Sequence, residues 1–219
     1  MTAKGLRRFR QPPGQPGAAP ASVSTPADAR CELCAGPAGE DHPHVVDVET
    51  RALLCACRGC HLLFDPAAQG RYRAVPRRHL HAARFRMTAA DWEDLQIPVR
   101  TAFFFHNSTL GRTVVFYPSP AGATQSLLPL PAWERVLAAN PELPPAEPDV
   151  EALLVDRGAD GFTCHLVPIS TCYELVGLVR RHWKGFSGGQ EAWAAIDGFF
   201  ADLARRGTPT PTGQGGAPA

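Results

Sequence analysis

The segment LLCACRGCHLLF, Leu53 to Phe64, sets three cysteines and a histidine between two apolar flanks. Its Cys57-x-x-Cys60 has an upstream counterpart in Cys31-x-x-Cys34, with 22 residues between the pairs. That spacing describes a four-cysteine metal site. Two thiols three residues apart in a tight turn aim at one ion, and two such turns on neighbouring hairpins complete a tetrahedron. A module this short buries little apolar surface, whereas a structural zinc ion supplies about 10–16 kcal/mol of apparent folding energy. The metal would act as the core.

Cys55 is the thiol left over once Cys31, Cys34, Cys57 and Cys60 fill a tetrahedron. It reads as a spare, packed as a small hydrophobe or serving as an alternative ligand. His61, His42 and His44 are weaker candidates, since a histidine beside a cysteine knuckle more often lies at the surface or orients a ligand. Zinc is the expected ion. Iron is the competitor, because four thiolates also describe a rubredoxin centre, although such knuckles carry glycine after the second cysteine where this chain has Ala35 and His61. An iron–sulfur cluster using Cys55 ranks third.

Working outward, the chain divides by composition. Residues 1–28 and 205–219 are rich in Pro, Gly, Ala and Ser and read as disordered tails. Residues 29–66 form the zinc-ribbon-like module, with strand candidates in HPHVVDV (42–48) and RALLCAC (51–57). Residues 67–87 form a basic connector whose stretch 71–86 holds six arginines and no acid. Residues 88–204 read as an α+β domain of two antiparallel hairpins and three to four helices. RTAFFFHNS and RTVVFYP make the first hairpin, and Phe103, Phe104 and Phe105 imply burial on both faces. VEALLVDR and FTCHLVPI, joined by GADG, make the second. Thr88 with Asp91 and Thr171 with Glu174 read as capping boxes, and Pro131 suits the first turn of a helix. The stretches SPAGATQS (119–126) and KGFSGGQE (184–191) read as small-residue loops.

Composition limits the function classes. The 219 residues are 44% apolar, enough for a core, and 22 Lys and Arg balance 21 Asp and Glu. No global field draws the chain to nucleic acid or to an anionic membrane. No run approaches the roughly 18 apolar residues of a membrane span. Arg7 and Arg8 are followed by QPPGQPGAAP instead of an apolar region, so a cytoplasmic location is expected. In that reducing compartment seven cysteines argue for metal chemistry over disulfides. Cys164 and His165 would point to opposite faces of a strand, and Cys172 reads as structural although a first helical turn can activate a thiol. No nucleophile–base pair, P-loop, dinucleotide fingerprint or open three-ligand metal site is assembled from these residues by inspection.

The run DWEDLQIPVRTAFFFHNSTLGRTVVFYPSPAGATQSLLPLPAWE, with PDVEALLV and CYELVGLVRRHWKGFSGG, resembles an uncharacterised actinobacterial domain family of unknown function. Genes of that family tend to lie in uptake [NiFe]-hydrogenase clusters. The resemblance implies a setting in hydrogenase assembly or electron transfer and names no catalytic residue. The expected function is a non-enzymatic accessory or adaptor protein whose partner is a hydrogenase subunit or maturation factor. A rubredoxin-like electron carrier is the alternative, and a nucleic-acid-binding regulator using the ribbon and the arginine arm is a second.

Overall fold

The computed structural model describes residues 29–67, 70–127, 131–185 and 187–210. The expected tail at 1–28 and the end of the other, 211–219, lie outside them. The chain is a mixed α+β structure. Strands β1 (His44–Asp47), β2 (Ala52–Cys55) and β3 (Tyr72–Ala74) form a three-stranded antiparallel sheet in the order β2-β1-β3, with helix α1 (Arg58–His61) after β2. Seven strands form the larger sheet: β4 (Leu80–His81), β5 (Thr101–Asn107), β6 (Arg112–Ser119), β7 (Gly122–Ser126), β8 (Glu151–Gly158), β9 (Gly161–Pro168) and β10 (Thr208–Pro209). Their order is β10-β4-β9-β8-β5-β6-β7, antiparallel except at the β10–β4 pair. Helices α2 (Ala89–Asp94), α3 (Pro131–Ala139), α4 (Ile169–His182) and α5 (Gly189–Arg206) cover it. Among the described residues no helix is long and apolar enough to cross a membrane.

The large sheet is buried on both faces, as the phenylalanine run predicts. Phe103, Leu154 and Val167 face α4 and α5, while Phe104, Leu153, Val155 and Leu166 face α2 and α3, following the two-residue period of a strand. On the second face Phe104 stacks on Trp133 of α3 with centroids 3.7 Å apart. The Thr88 capping box forms, each partner bonding the other's backbone. The box at Thr171 does not. Helix α4 starts earlier, at Ile169, whose amide donates to the carbonyl of Val150, and the Thr171 hydroxyl lies 3.2 Å from His79 Nε2.

Three segments differ from their sequence reading for one reason: each offers main-chain groups to a neighbouring strand. Residues 119–126, read as a loop, turn back to form β7 against β6. The basic connector supplies β3 to the small sheet and β4 to the large one. Residues 205–210, assigned to the tail, end α5 and form β10, pairing with β4. Four of the connector's six arginines form ion pairs within the chain. Arg71 pairs with Asp47 and Glu49, Arg73 with Asp149, Arg78 with Glu151 and Arg86 with Glu142. Asp91 and Asp94, just beyond the connector in sequence, pair with Arg135. Tyr72 packs on Phe64, and Phe85, half-buried, packs against the core that holds α2 and α3.

The small sheet is not a separate bead. Val45 of β1 faces the cysteines while Val46 on the opposite face joins the large core, together with Val75 just past β3. Asp149, in a left-handed conformation at φ 67°, fastens the contact: it accepts from the Ser108 amide and pairs with buried Arg73.

His165 of β9 is buried beside His81, with ring centroids 4.9 Å apart, and among the described residues its Nδ1 has no hydrogen-bond partner. Burial first, then the nearby His81 and His79, hold its pKa down at about 4. The unfolded chain takes this proton near 6.5, so its uptake favours unfolding below that pH. Stability is therefore full above pH 6.5 and falls down to about pH 4, by about 3 kcal/mol from this group. Thermal unfolding at pH 7.5 and 4.5 should show a smaller pH effect in His165→Leu than in wild type. Equal pH dependence in the two would contradict the assignment.

Candidate metal centre

Cys31, Cys34, Cys57 and Cys60 converge, their sulfurs all within 4.8 Å of one another. The four are positioned to bind a metal ion. Two knuckles bring them there. In the first, the Ala35 amide donates to the Cys31 carbonyl and the Cys31 amide to that of Gly36, closing a tight loop. In the second, Cys57 caps α1, its sulfur 3.4 Å from the Cys60 amide. The knuckles face each other, with Cys34 Sγ 3.8 Å from Cys57 Sγ. The apolar support is small: Cys31, Val45 and Ala56 are buried, with Leu33, Phe64 and Tyr72 packed around them.

The electrostatics fit a thiolate-bound cation. Burial alone would raise the Cys31 thiol, but hydrogen bonds from the backbone of Cys57, Leu33 and Cys34 and from the Cys34 thiol outweigh it and hold it at about 6. The fold thus stabilises a sulfur anion in its interior. Cys60 is pushed up to about 12, chiefly by hydrogen bonding to Cys34 and Cys57, so without an ion the proton stays within the cluster. A bound divalent cation inverts this balance by deprotonating its thiol ligands outright.

Ala35 takes φ 59°, the left-handed region in which a Cβ costs about 1 kcal/mol. The backbone has the shape that knuckle glycines permit, although the side chain is alanine. Ala35→Gly should therefore stabilise the metal-bound protein by up to about 1 kcal/mol, raising Tm by roughly 2–4 °C. A lower Tm would show that the loop gains more from its Cβ than it loses to strain.

Cys55 lies outside the four-sulfur cluster and converges with His42 and His44, their ligand atoms within 4.8 Å of one another. An open three-ligand group is therefore present, against the sequence expectation. Its signal was legible in part: His-x-His puts two imidazoles on one side of an extended segment, and β-sheet register places Cys55 directly opposite His44. The pairing of those strands could not be read from the spacing alone. Burial, then the charge of His42, holds His44 at about 4. His61, the other alternative ligand, has its Nε2 3.0 Å from the Val75 carbonyl and joins neither group. Cys164 and Cys172 are fully buried and their thiols are raised by burial, so the first-turn position does not activate Cys172.

A family model matches residues 30–207, which take in both knuckles and run to the end of α5. The chain belongs to the family of unknown function DUF5947. The family's description carries no activity, and neither actinobacteria nor hydrogenase clusters form part of it. No curated protein and no solved structure matches the chain.

Proposed function

We propose that the chain is a non-enzymatic, metal-stapled accessory protein that docks on another protein. The observation that carries this reading is at the end of the second knuckle. Leu62 and Leu63, directly beyond α1, are 71% and 76% exposed, while Phe64 turns inward onto Tyr72. Two adjacent leucines held in water on a metal-braced turn form an apolar contact point that a rigid partner can bury. The four-cysteine ion, zinc in this reading, fixes the shape of that turn and has no position left for substrate. The proposed partner is a hydrogenase subunit or maturation factor in the cytoplasm, a choice that rests on the resemblance to proteins encoded beside uptake [NiFe]-hydrogenases.

The test is affinity purification from a host expressing hydrogenase, with wild type and a Leu62→Ser/Leu63→Ser variant. Wild type should retain a hydrogenase subunit or maturation factor, and the variant should lose it with its metal content unchanged. Recovery of wild type alone, with normal hydrogenase activity in a deletion strain, would overturn the proposal.

A second reading, a rubredoxin-like electron carrier, rests on the same four sulfurs, which suit iron as well as zinc, and Ala35 keeps the left-handed backbone of such a knuckle although it is not glycine. Freshly purified protein should be colourless if zinc is bound. A red protein with stoichiometric iron, bleached by dithionite and restored by air, would put electron transfer first.

A further inference from the structure

We propose that His42, His44 and Cys55 form a second metal site, open at one position, that takes a divalent transition cation of borderline softness such as zinc. The three ligand atoms lie within 4.8 Å of one another, and all three side chains are half-buried, reachable by an ion from solvent. One thiolate and two imidazoles are a donor set that suits zinc, cobalt or nickel and excludes magnesium and calcium.

The surroundings are those of oriented ligands. His42 Nδ1 lies 2.9 Å from the Gly39 carbonyl, so that nitrogen carries the proton and donates, leaving the Nε2 lone pair for an ion. The His42 and His44 rings are 5.1 Å apart and tilted by 50°, converging instead of stacking flat. Cys55 is held by two backbone links to Glu32: its amide donates to Glu32 Oε2 at 2.6 Å and its carbonyl accepts from the Glu32 amide at 2.8 Å. Burial and that carboxylate raise the Cys55 thiol, and a divalent cation bound there would take the place of its proton and face the carboxylate's negative charge. Two knuckles braced by the four-cysteine ion hold Glu32 and the end of β2 in place, so the second site is built on the first.

The difference in ligand count sets the difference in behaviour. Four thiolates enclose an ion, whereas three protein donors leave one tetrahedral position to water or to a donor atom of a bound molecule. The second ion should exchange readily, and the first should not. The site stands independently of the docking reading.

The experiment uses the full chain, stripped of metal under reducing conditions, reconstituted with Zn²⁺ and freed of excess. Wild type should hold about two equivalents, one of them yielding first to a weak chelator. His42→Gln/His44→Gln and, separately, Cys55→Ser should each hold about one, and their Co²⁺ forms should keep the tetrathiolate spectrum while losing the mixed nitrogen–sulfur bands. That retained spectrum reports that the module is still folded. In wild type, Zn²⁺ should protect His42 and His44 from diethylpyrocarbonate, a readout that needs no variant. A single equivalent in wild type with both histidines unprotected, or two equivalents persisting in the histidine variant, would overturn the proposal.

Discussion

Cys57→Ser should release the tightly held ion and unfold the two knuckles, the largest effect expected of any single substitution. Cys57 contributes twice, as a sulfur of the four-cysteine group and as the cap of α1. Serine keeps a capping oxygen but loses the soft thiolate, so the metal term is what disappears. That term is about 10–16 kcal/mol in apparent folding energy for structural zinc, and the few buried residues around the site cannot replace it. Unfolding should stop at β1, because Val46 and Val75 belong to the large core and Arg73 stays paired with Asp149. Metal analysis with hydrogen exchange should show zinc lost and fast exchange over 30–43 and 56–64, with the large sheet still protected. Cys55→Ser should keep the four-cysteine ion. The opposite pattern, with Cys55→Ser losing that ion and Cys57→Ser retaining it, would show that the ligand is the earlier thiol.

Arg78→Ala should cost about 3 kcal/mol, a fall in Tm of roughly 6–12 °C, through a carboxylate left alone in the interior. Glu151 is fully buried at the start of β8, and Arg78 meets it with two hydrogen bonds of 2.6 and 2.7 Å. The Glu147 amide donates to the same carboxylate at 2.9 Å, and Arg78 also donates to the Pro145 carbonyl. The arginine therefore ties the former connector to the proline-rich stretch before β8. Its side chain is 42% exposed, which places the cost at the lower end for a buried pair. Arg78→Lys should fall between, keeping the charge but losing the two-pronged geometry. Denaturant unfolding of the three proteins gives the order, and a change below about 0.5 kcal/mol for Arg78→Ala would refute this role.

Both predictions rest on residues whose legibility differed. The four cysteine ligands are spaced so that local turns alone bring each pair together, and the structure places them as the spacing implies. The partners of Arg78 and Arg73 lie 73 and 76 residues away, at Glu151 and Asp149, beyond the reach of any local pattern. A run of arginines without acids reads as a solvated arm when its acids come from elsewhere in the chain.

The sequence by itself determined what depends on near neighbours. The alternation across Phe103–Phe105 specified a strand buried on both sides, the Thr88–Asp91 pair specified a helix start, and the turns at GADG and in the two knuckles specified reversals. Only the tertiary structure decided what depends on which strand lies beside which. Pairing turned 119–126, 72–74 and 208–209 from loop, connector and tail into strands, because an unpaired backbone becomes a strand as soon as a neighbour offers its donors and acceptors. The same pairing set His44 opposite Cys55 and so turned three scattered candidate ligands into one group. Cross-strand register is fixed by which face of β1 meets the large core, and that information lies in distant residues such as Ile169 and Leu175, not in the segment itself.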